Sequence, residues 1–501
     1  MRSNIEHDFD NQIMTSNKES SSNLEQLRSY MNSFPLTLDP VFSTDQPNQA
    51  IVLYQGNIKL SKETTEIEGL GTIEYRWTPY PSIKFKFELL KEISGSVLTL
   101  VSSNDRSVSI TLSDLQITVD GYLEDYSIGG DQGNKLSGRT TQPIVQEKTK
   151  DLVHVIFHVA NFHKIVGNEV TLLKKASGEL KTNSNRIIFE AEDWKITFDQ
   201  LETPKDNIDR LKNERGFAIT HVGKLEKLDG TAFSGDEANK FFVKFADFLS
   251  FVRGFRVPVL LFVGYDANND RVWEYWNSSG GSSWQGVNSW CPTEEAVKLV
   301  KLLPGFLDWW QKWDESERIA LYWYLEANSV SSIEQTIILT QVALELISWV
   351  VLVEKEKTIS MNGFDKLPAS DKLRILLSRF RIPLNLPPKI SPLSPSLAAS
   401  FIPKRHILQD LVSLASEKNN KWVDGLHAFT EMRNGLVHPK KNKREKIHNS
   451  SFKAKHEASD LGLWYLELIF LAMFDYQENY ANRLIKPRQN GETELVPWNQ
   501  N

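Results

Sequence analysis

The chain has 501 residues, 40% of them hydrophobic and 24% charged, with a formal net charge of −6 and a pI of about 6.0. That length suits two or three domains with separate cores. The acidic balance excludes a chain that is basic throughout, so any RNA contact must come from a local patch. The single cysteine, Cys291, excludes an intramolecular disulfide framework and a cysteine-rich zinc site, and suits the cytoplasm.

Residues 1–34 read as a flexible tail. They are rich in Ser, Asn and Glu, hold one short helical pattern at Leu24, Leu27, Tyr30 and Met31, and lack the apolar stretch of a signal peptide. Residues 35–215 alternate as strands do. Ile83-Lys84-Phe85-Lys86-Phe87, Val108-Ser109-Ile110-Thr111-Leu112 and Trp194-Lys195-Ile196-Thr197-Phe198 are examples, and Ser94-Gly95-Ser96, Asp120-Gly121 and Gly129-Gly130-Asp131 supply turns. This predicts an antiparallel, sandwich-like β domain. From 216 to 314 a small α/β module is predicted. Its helix starts at Ser234-Gly235-Asp236-Glu237, a capping box, and continues through Phe241, Phe242, Phe245, Phe248, Leu249 and Val252. Val257 to Val263 and Val272 to Trp276 are its strands.

From 315 to 485 the pattern is helical, with a 486–501 tail. The predicted helices are Ile319 to Leu325, Ile333 to Val353, Leu373 to Phe380, Ile407 to Leu414, Trp422 to Val437 and Leu461 to Phe474, with a proline-rich loop from Pro383 to Pro395. The class is therefore α+β and multidomain. The apolar run Ile337 to Val353 is interrupted by Gln341 and Glu345, so it reads as a core helix with no membrane partner.

The stretch from Trp422 to Lys440 carries the candidate chemistry. Trp422, Leu426, Phe429, Met432 and Leu436 recur at helical spacing, and Arg433 falls within their stripe. A guanidinium there cannot shed its charge and needs an acid, carbonyls or an incoming anion. His438 precedes Pro439, which keeps it out of the α region and predicts the helix end there, with Gly435 beginning the unwinding. A permanent cation beside a group titrating near neutrality can hold a phosphate and move a proton. The same residues also fit an ordinary basic helix terminus. Glu345, in an otherwise apolar helix, is predicted to face Arg433 and fix its fork, or else to meet a domain seam or a tryptophan N–H. Lys440, Lys441, Lys443 and Arg444 follow the motif, as a solvated linker or as a funnel for an RNA backbone.

Arg433-Asn434-x-x-x-His438 resembles the R-x(4–6)-H motif of the HEPN superfamily of small helical domains. The whole chain looks like large bacterial members of the ApeA or YopA-like kind, with a long N-terminal sensor-like region. The resemblance implies a HEPN-like bundle over 315–485 and a metal-independent endoribonuclease needing no cofactor. In that reading Arg433 holds the scissile phosphate, His438 acts as general base or acid, and Asn434 orients the phosphate or the imidazole. It further implies an RNA substrate, a homodimer or higher oligomer, and anti-phage defence by abortive infection with a phage-derived trigger. The alternative is a non-catalytic HEPN-like binding or dimerisation protein with a ligand-binding β domain. Two further patterns are read as structural: His154, His158 and His163 as a partly exposed strand face, with no metal expected, and Trp273, Trp276 and Trp284 as core, with carbohydrate or peptide stacking as the other option.

Overall fold

The structure, a computed structural model, describes residues 33–89, 104–127, 135–174, 180–202, 205–291, 296–330, 332–382, 424–438, 440–484 and 492–499. The predicted tail helix, the proline-rich loop, the Ile407 to Leu414 helix, Trp422, and the turns at Ser94 and Gly129 lie outside the described residues.

The first unit is a barrel: β1 Ile51–Lys62, β2 Thr65–Arg76, β3 Ser82–Leu89, β4 Ser107–Leu112, β5 Ile117–Ser127 and β6 Lys135–Thr140. The order β1-β2-β3-β6-β5-β4 closes because β1 pairs with both β2 and β4, at Ile58↔Gly69 and Ile58↔Leu112. Closure leaves no open sheet edge, which is why a barrel stands where a sandwich was expected. Alternate residues point inward, among them Ile58, Leu60, Ile73, Tyr75, Phe85, Phe87, Ile110 and Leu112, all fully buried.

The second unit is an eight-stranded antiparallel sheet with β7 Ile144–Glu147, β8 His154–Ala160, β9 Glu169–Lys174, β10 Leu180–Ala191 and β11 Trp194–Gln200. A helix, α1 Lys205–Glu214, follows, and then β12 Ile219–Lys227, α2 Gly235–Arg253, β13 Val259–Tyr265 and β14 Arg271–Trp276. The order β7-β14-β13-β8-β12-β11-β10-β9 takes strands from both sides of residue 216. The predicted capping box is present: Ser234 accepts from the Glu237 N–H and the Glu237 carboxylate returns to the Ser234 N–H. From there α2 lays Phe242 and Phe245 on Phe157 of the sheet, at 4.9 and 5.8 Å between ring centres.

The helical part comprises α3 Ala296–Lys312, α4 Glu315–Ser329, α5 Ile333–Trp349, α6 Met361–Lys366, α7 Ala369–Arg379, α8 Gly425–Val437, α9 Lys441–His448 and α10 Phe452–Met473. The chain is thus β-rich toward its start and helical toward its end. Helices α1 and α3 were not among the predicted elements. A π-helical turn, Val350–Lys355, continues α5. Ile333–Lys355 is long and apolar enough to cross a membrane, yet 61% of its most apolar window is buried inside the protein, where α5 packs on α4, α7, α8 and α10. The sheet and the helices share a core. Phe251 of α2 meets Phe470 and Phe474 at 5.8 and 5.1 Å, and Phe306 of α3 also meets Phe474 at 5.1 Å.

Candidate functional site

Helix α8 is fixed at its start. The Asp424 carboxylate caps it by accepting from the His427 N–H at 2.8 Å, and it also receives Arg374 of α7, Nε at 2.9 Å and Nη2 at 2.6 Å. Leu426, Phe429 and Met432 are buried, as their spacing predicts. The helix ends where Pro439 requires. His438 is extended at φ −82°, ψ 138°, and its N–H closes the last turn on the Asn434 carbonyl at 3.0 Å. Gly435 does not begin an unwinding. It stays helical and buried because α9 crosses there: a Cβ would fall 1.9 Å from Ile447 Cγ1.

Arg433 is half-buried. Its Nη1 donates to Asn434 Oδ1 at 3.3 Å, and Asn434 Nδ2 donates to Glu431 Oε1 at 3.2 Å. The Arg433 Nε is buried and, among the described residues, has no hydrogen-bond partner. A buried donor on a charged group is costly when unmet, and an entering anion would meet it. His438 is exposed one residue past the helix, and among the described residues no hydrogen bond links its ring to Arg433 or Asn434. The structure therefore joins Arg433 and Asn434 directly and sets His438 on the same helix end. Lys440 and Lys441 are exposed, and Lys441 pairs with Glu445 at 3.7 Å. The stretch expected as linker or funnel forms α9, which carries Lys443 and Arg444, although their side chains lie outside the described residues.

Glu345 does not meet Arg433; among the described residues no ion pair joins them. It is half-buried and accepts from Gln341 Nε2 on its own helix at 2.8 Å. The reason is axial stagger. Lys455 reaches Glu334 at 3.4 Å, and the missing Cβ of Gly462 would touch Thr340, so α5 and α10 run parallel. That Cβ would also touch Phe429, while Gly435, nearer the end of α8, packs on Ile447 just before α10 begins, so α8 runs antiparallel to both. Starting from the shared Phe429–Thr340 level, Arg433 lies a turn one way and Glu345 more than a turn the other, about 13 Å apart along the axis.

The histidine face is also different from expectation. His158 is fully buried; its Nδ1 lies 3.0 Å from the Leu261 carbonyl and its Nε2 accepts from the Phe42 N–H at 3.0 Å. Those partners fix a neutral tautomer, and burial pushes its pKa down to about 4. His154 stacks on Tyr265 at 4.8 Å. Among the described residues no group of three or more His, Cys, Asp or Glu is arranged to hold a metal ion. Trp273, Trp276 and Trp284 are buried, which removes them as exposed stacking platforms.

A second polar cluster escaped the sequence reading. On α10, Asp460 is buried and its Oδ2 lies 3.2 Å from His456 Nδ1. Further along α10, buried Glu467 holds Arg483, with Nε on Oε2 at 2.9 Å and Nη2 on Oε1, and accepts from Tyr324 OH at 3.0 Å. Arg483 Nη2 also donates to Asn328 Oδ1 at 3.1 Å and to the Asn288 carbonyl at 3.3 Å. The available signal was Asp460 and Glu467, acids within an otherwise apolar helical run.

Comparison with known proteins follows these units. The model of the YopA central domain matches residues 147–287, and that of the YopA C-terminal domain matches residues 310–494. A curated relative, the SPbeta prophage-derived uncharacterized protein YopA of Bacillus subtilis (strain 168), is 28% identical over 483 residues, covering 92% of this chain and 98% of its own. No solved structure matches. The two domain matches and the nearly end-to-end relative support a YopA-like family for this chain.

Proposed function

We propose that the chain is a metal-independent endoribonuclease of HEPN type, held inactive or triggered by its N-terminal β-rich region and acting in anti-phage defence. The observation that carries this reading is Arg433: a half-buried guanidinium with an unmet Nε at a helix end, steadied by Asn434, with exposed His438 just beyond. A phosphodiester reaching Arg433 would receive charge-assisted hydrogen bonds. His438 would take the proton from the ribose 2′-OH as that oxygen attacks phosphorus. The P–O5′ bond breaks, the 5′-oxygen leaves with the proton that His438 took and returns, and a 2′,3′-cyclic phosphate remains. The openness of the site suits completion by a second copy across a two-fold axis, as the HEPN resemblance implies. The prophage origin of the relative fits a part in phage–host conflict.

The same openness favours a second reading, in which the bundle is a HEPN-like binding or dimerisation module without catalysis. Cellular RNA integrity separates the two. Wild type is expected to degrade RNA and slow growth, and His438→Ala and Arg433→Ala to lose about 100-fold or more of that cleavage at unchanged melting temperature. Cleavage that survives both substitutions would remove this site from the reaction, and a dimer that never cleaves would favour the second reading.

A further inference from the structure

A cavity of about 1060 Å3 opens where the central region meets the C-terminal helices. One wall belongs to the matched central region, with Lys212 of α1, Arg215 and Trp284. The other belongs to the matched C-terminal region, with Phe452, His456 and Asp460 of α10, and Arg483 lines it too. Neither region builds the cavity alone. It is distinct from the Arg433 site, because Ala458 and Gly462 mark the packed stripe of α10 whereas His456 and Asp460 lie on another face.

Its charges are uneven. Lys212 and Arg215 are exposed, and neither is committed to an ion pair among the described residues. The Glu334 carboxylate on the rim is already met by Lys455 at 3.4 Å. Behind Trp284 stands Arg253, buried, 5.1 Å from the indole ring; its Nη2 donates to the Gln285 carbonyl at 2.8 Å, and among the described residues its Nε has no partner. The central wall thus offers the positive charge of Lys212 and Arg215 to an anion. The helical wall offers a ring. Phe452 is 75% exposed, beside His456 at 6.5 Å, and buried Asp460 orients that imidazole. A large aromatic that gains nothing from burial is suited to stacking against a flat ligand. The volume matches pockets for drug-sized ligands.

We infer that this seam binds a small phosphate ester carrying a flat ring, its phosphate toward Lys212 and Arg215 and its ring on Phe452. A ligand held this way bridges the central and C-terminal regions. The inference does not depend on ribonuclease activity. Calorimetric titration of the full chain tests it, using AMP, phosphotyrosine, glucose 6-phosphate and inorganic phosphate. At least one of the two flat-ring esters is expected to bind about tenfold or more tighter than glucose 6-phosphate and phosphate. Which of the two does so identifies the source, nucleotide or phosphorylated side chain. Phe452→Ala is expected to remove that preference, and Lys212→Glu with Arg215→Glu to remove binding altogether. All three side chains are exposed, so melting temperatures should hold. No binding by any of the four, equal binding by all four, or affinities unchanged in both variants would each overturn it.

Discussion

Arg483→Met tests whether the buried cluster at Glu467 holds the helical region together. Both residues are nearly inaccessible, with side-chain exposures of 2% and 0%. At 2.9 Å between Arg483 Nε and Glu467 Oε2, with an effective dielectric of about 20, the direct attraction is about 6 kcal/mol before desolvation is subtracted. The substitution keeps most of the apolar stem but removes the bonds to Glu467, Asn328 and the Asn288 carbonyl, leaving the carboxylate, among the described residues, the Tyr324 hydroxyl alone. Breaking a buried pair from one side costs about 3–5 kcal/mol, since one ion is left uncompensated. Glu467→Gln strands the guanidinium instead and is expected to cost a similar amount. The double variant strands neither, so its cost should fall short of the sum by about 2 kcal/mol or more. Equilibrium urea unfolding of the four proteins reads this directly. Single-variant costs below about 1 kcal/mol, or additivity within about 0.5 kcal/mol, would refute the reasoning.

Two other consequences follow from single contacts. Gly435→Ala should destabilise by about 1–3 kcal/mol, because the new Cβ needs the space of Ile447, and Ile447→Ala should recover part of the loss in urea melts; a Gly435→Ala protein as stable as wild type would mean α9 does not cross there. His158 is neutral when folded, with its pKa near 4 against about 6.5 unfolded, so the unfolded chain binds more protons between those values and stability should fall as pH drops from about 6.5 to 4. His158→Gln should flatten that part of the melting-temperature profile, and because His221 is depressed in the same direction, to about 3, some slope should remain; a profile identical to wild type would assign none of the slope to His158.

What could be read from the sequence was what depends on near neighbours. The alternation in Ile83 to Phe87 and Val108 to Leu112 became β3 and β4. Ser234 and Glu237 closed the cap of α2, and Pro439 ended α8 at His438. Closure of the barrel was not legible, because it rests on β1 meeting β4 some fifty residues onward, a pairing no local pattern encodes. Helix α3 contains Pro304 and a cluster of tryptophans, which obscured its period, yet its Gly305 packs against the Phe474 carbonyl. Gly435 shows a local rule yielding to a tertiary one: glycine near a helix end suggests unwinding, but here it is the residue on which a second helix rests. At the candidate site the inward stripe of Leu426, Phe429 and Met432 and the position of His438 were readable, whereas the Arg433–Asn434 contact was not anticipated and the partner of Glu345 depended on how far three helices slide past one another.

The acids within the apolar helices sharpen that last point. Asp460, Glu467 and Glu345 all interrupt hydrophobic runs, and by composition they are equivalent. Burial separates them. Glu467 is fully enclosed and must be met by a cation, which arrives from Arg483, sixteen residues on and beyond the end of α10. Asp460 is nearly enclosed and takes the imidazole one turn back. Glu345 is only half-buried, so Gln341 and solvent suffice and no distant cation is required. An acid in an apolar run therefore marks a position where desolvation has to be met, and the depth of burial decides whether a partner must be brought in from elsewhere in the chain. Arg433 sits between these cases. It is deep enough that its Nε has lost water, yet among the described residues it has been given only Asn434. That shortfall is the physical reason for seeking an anion at the end of α8.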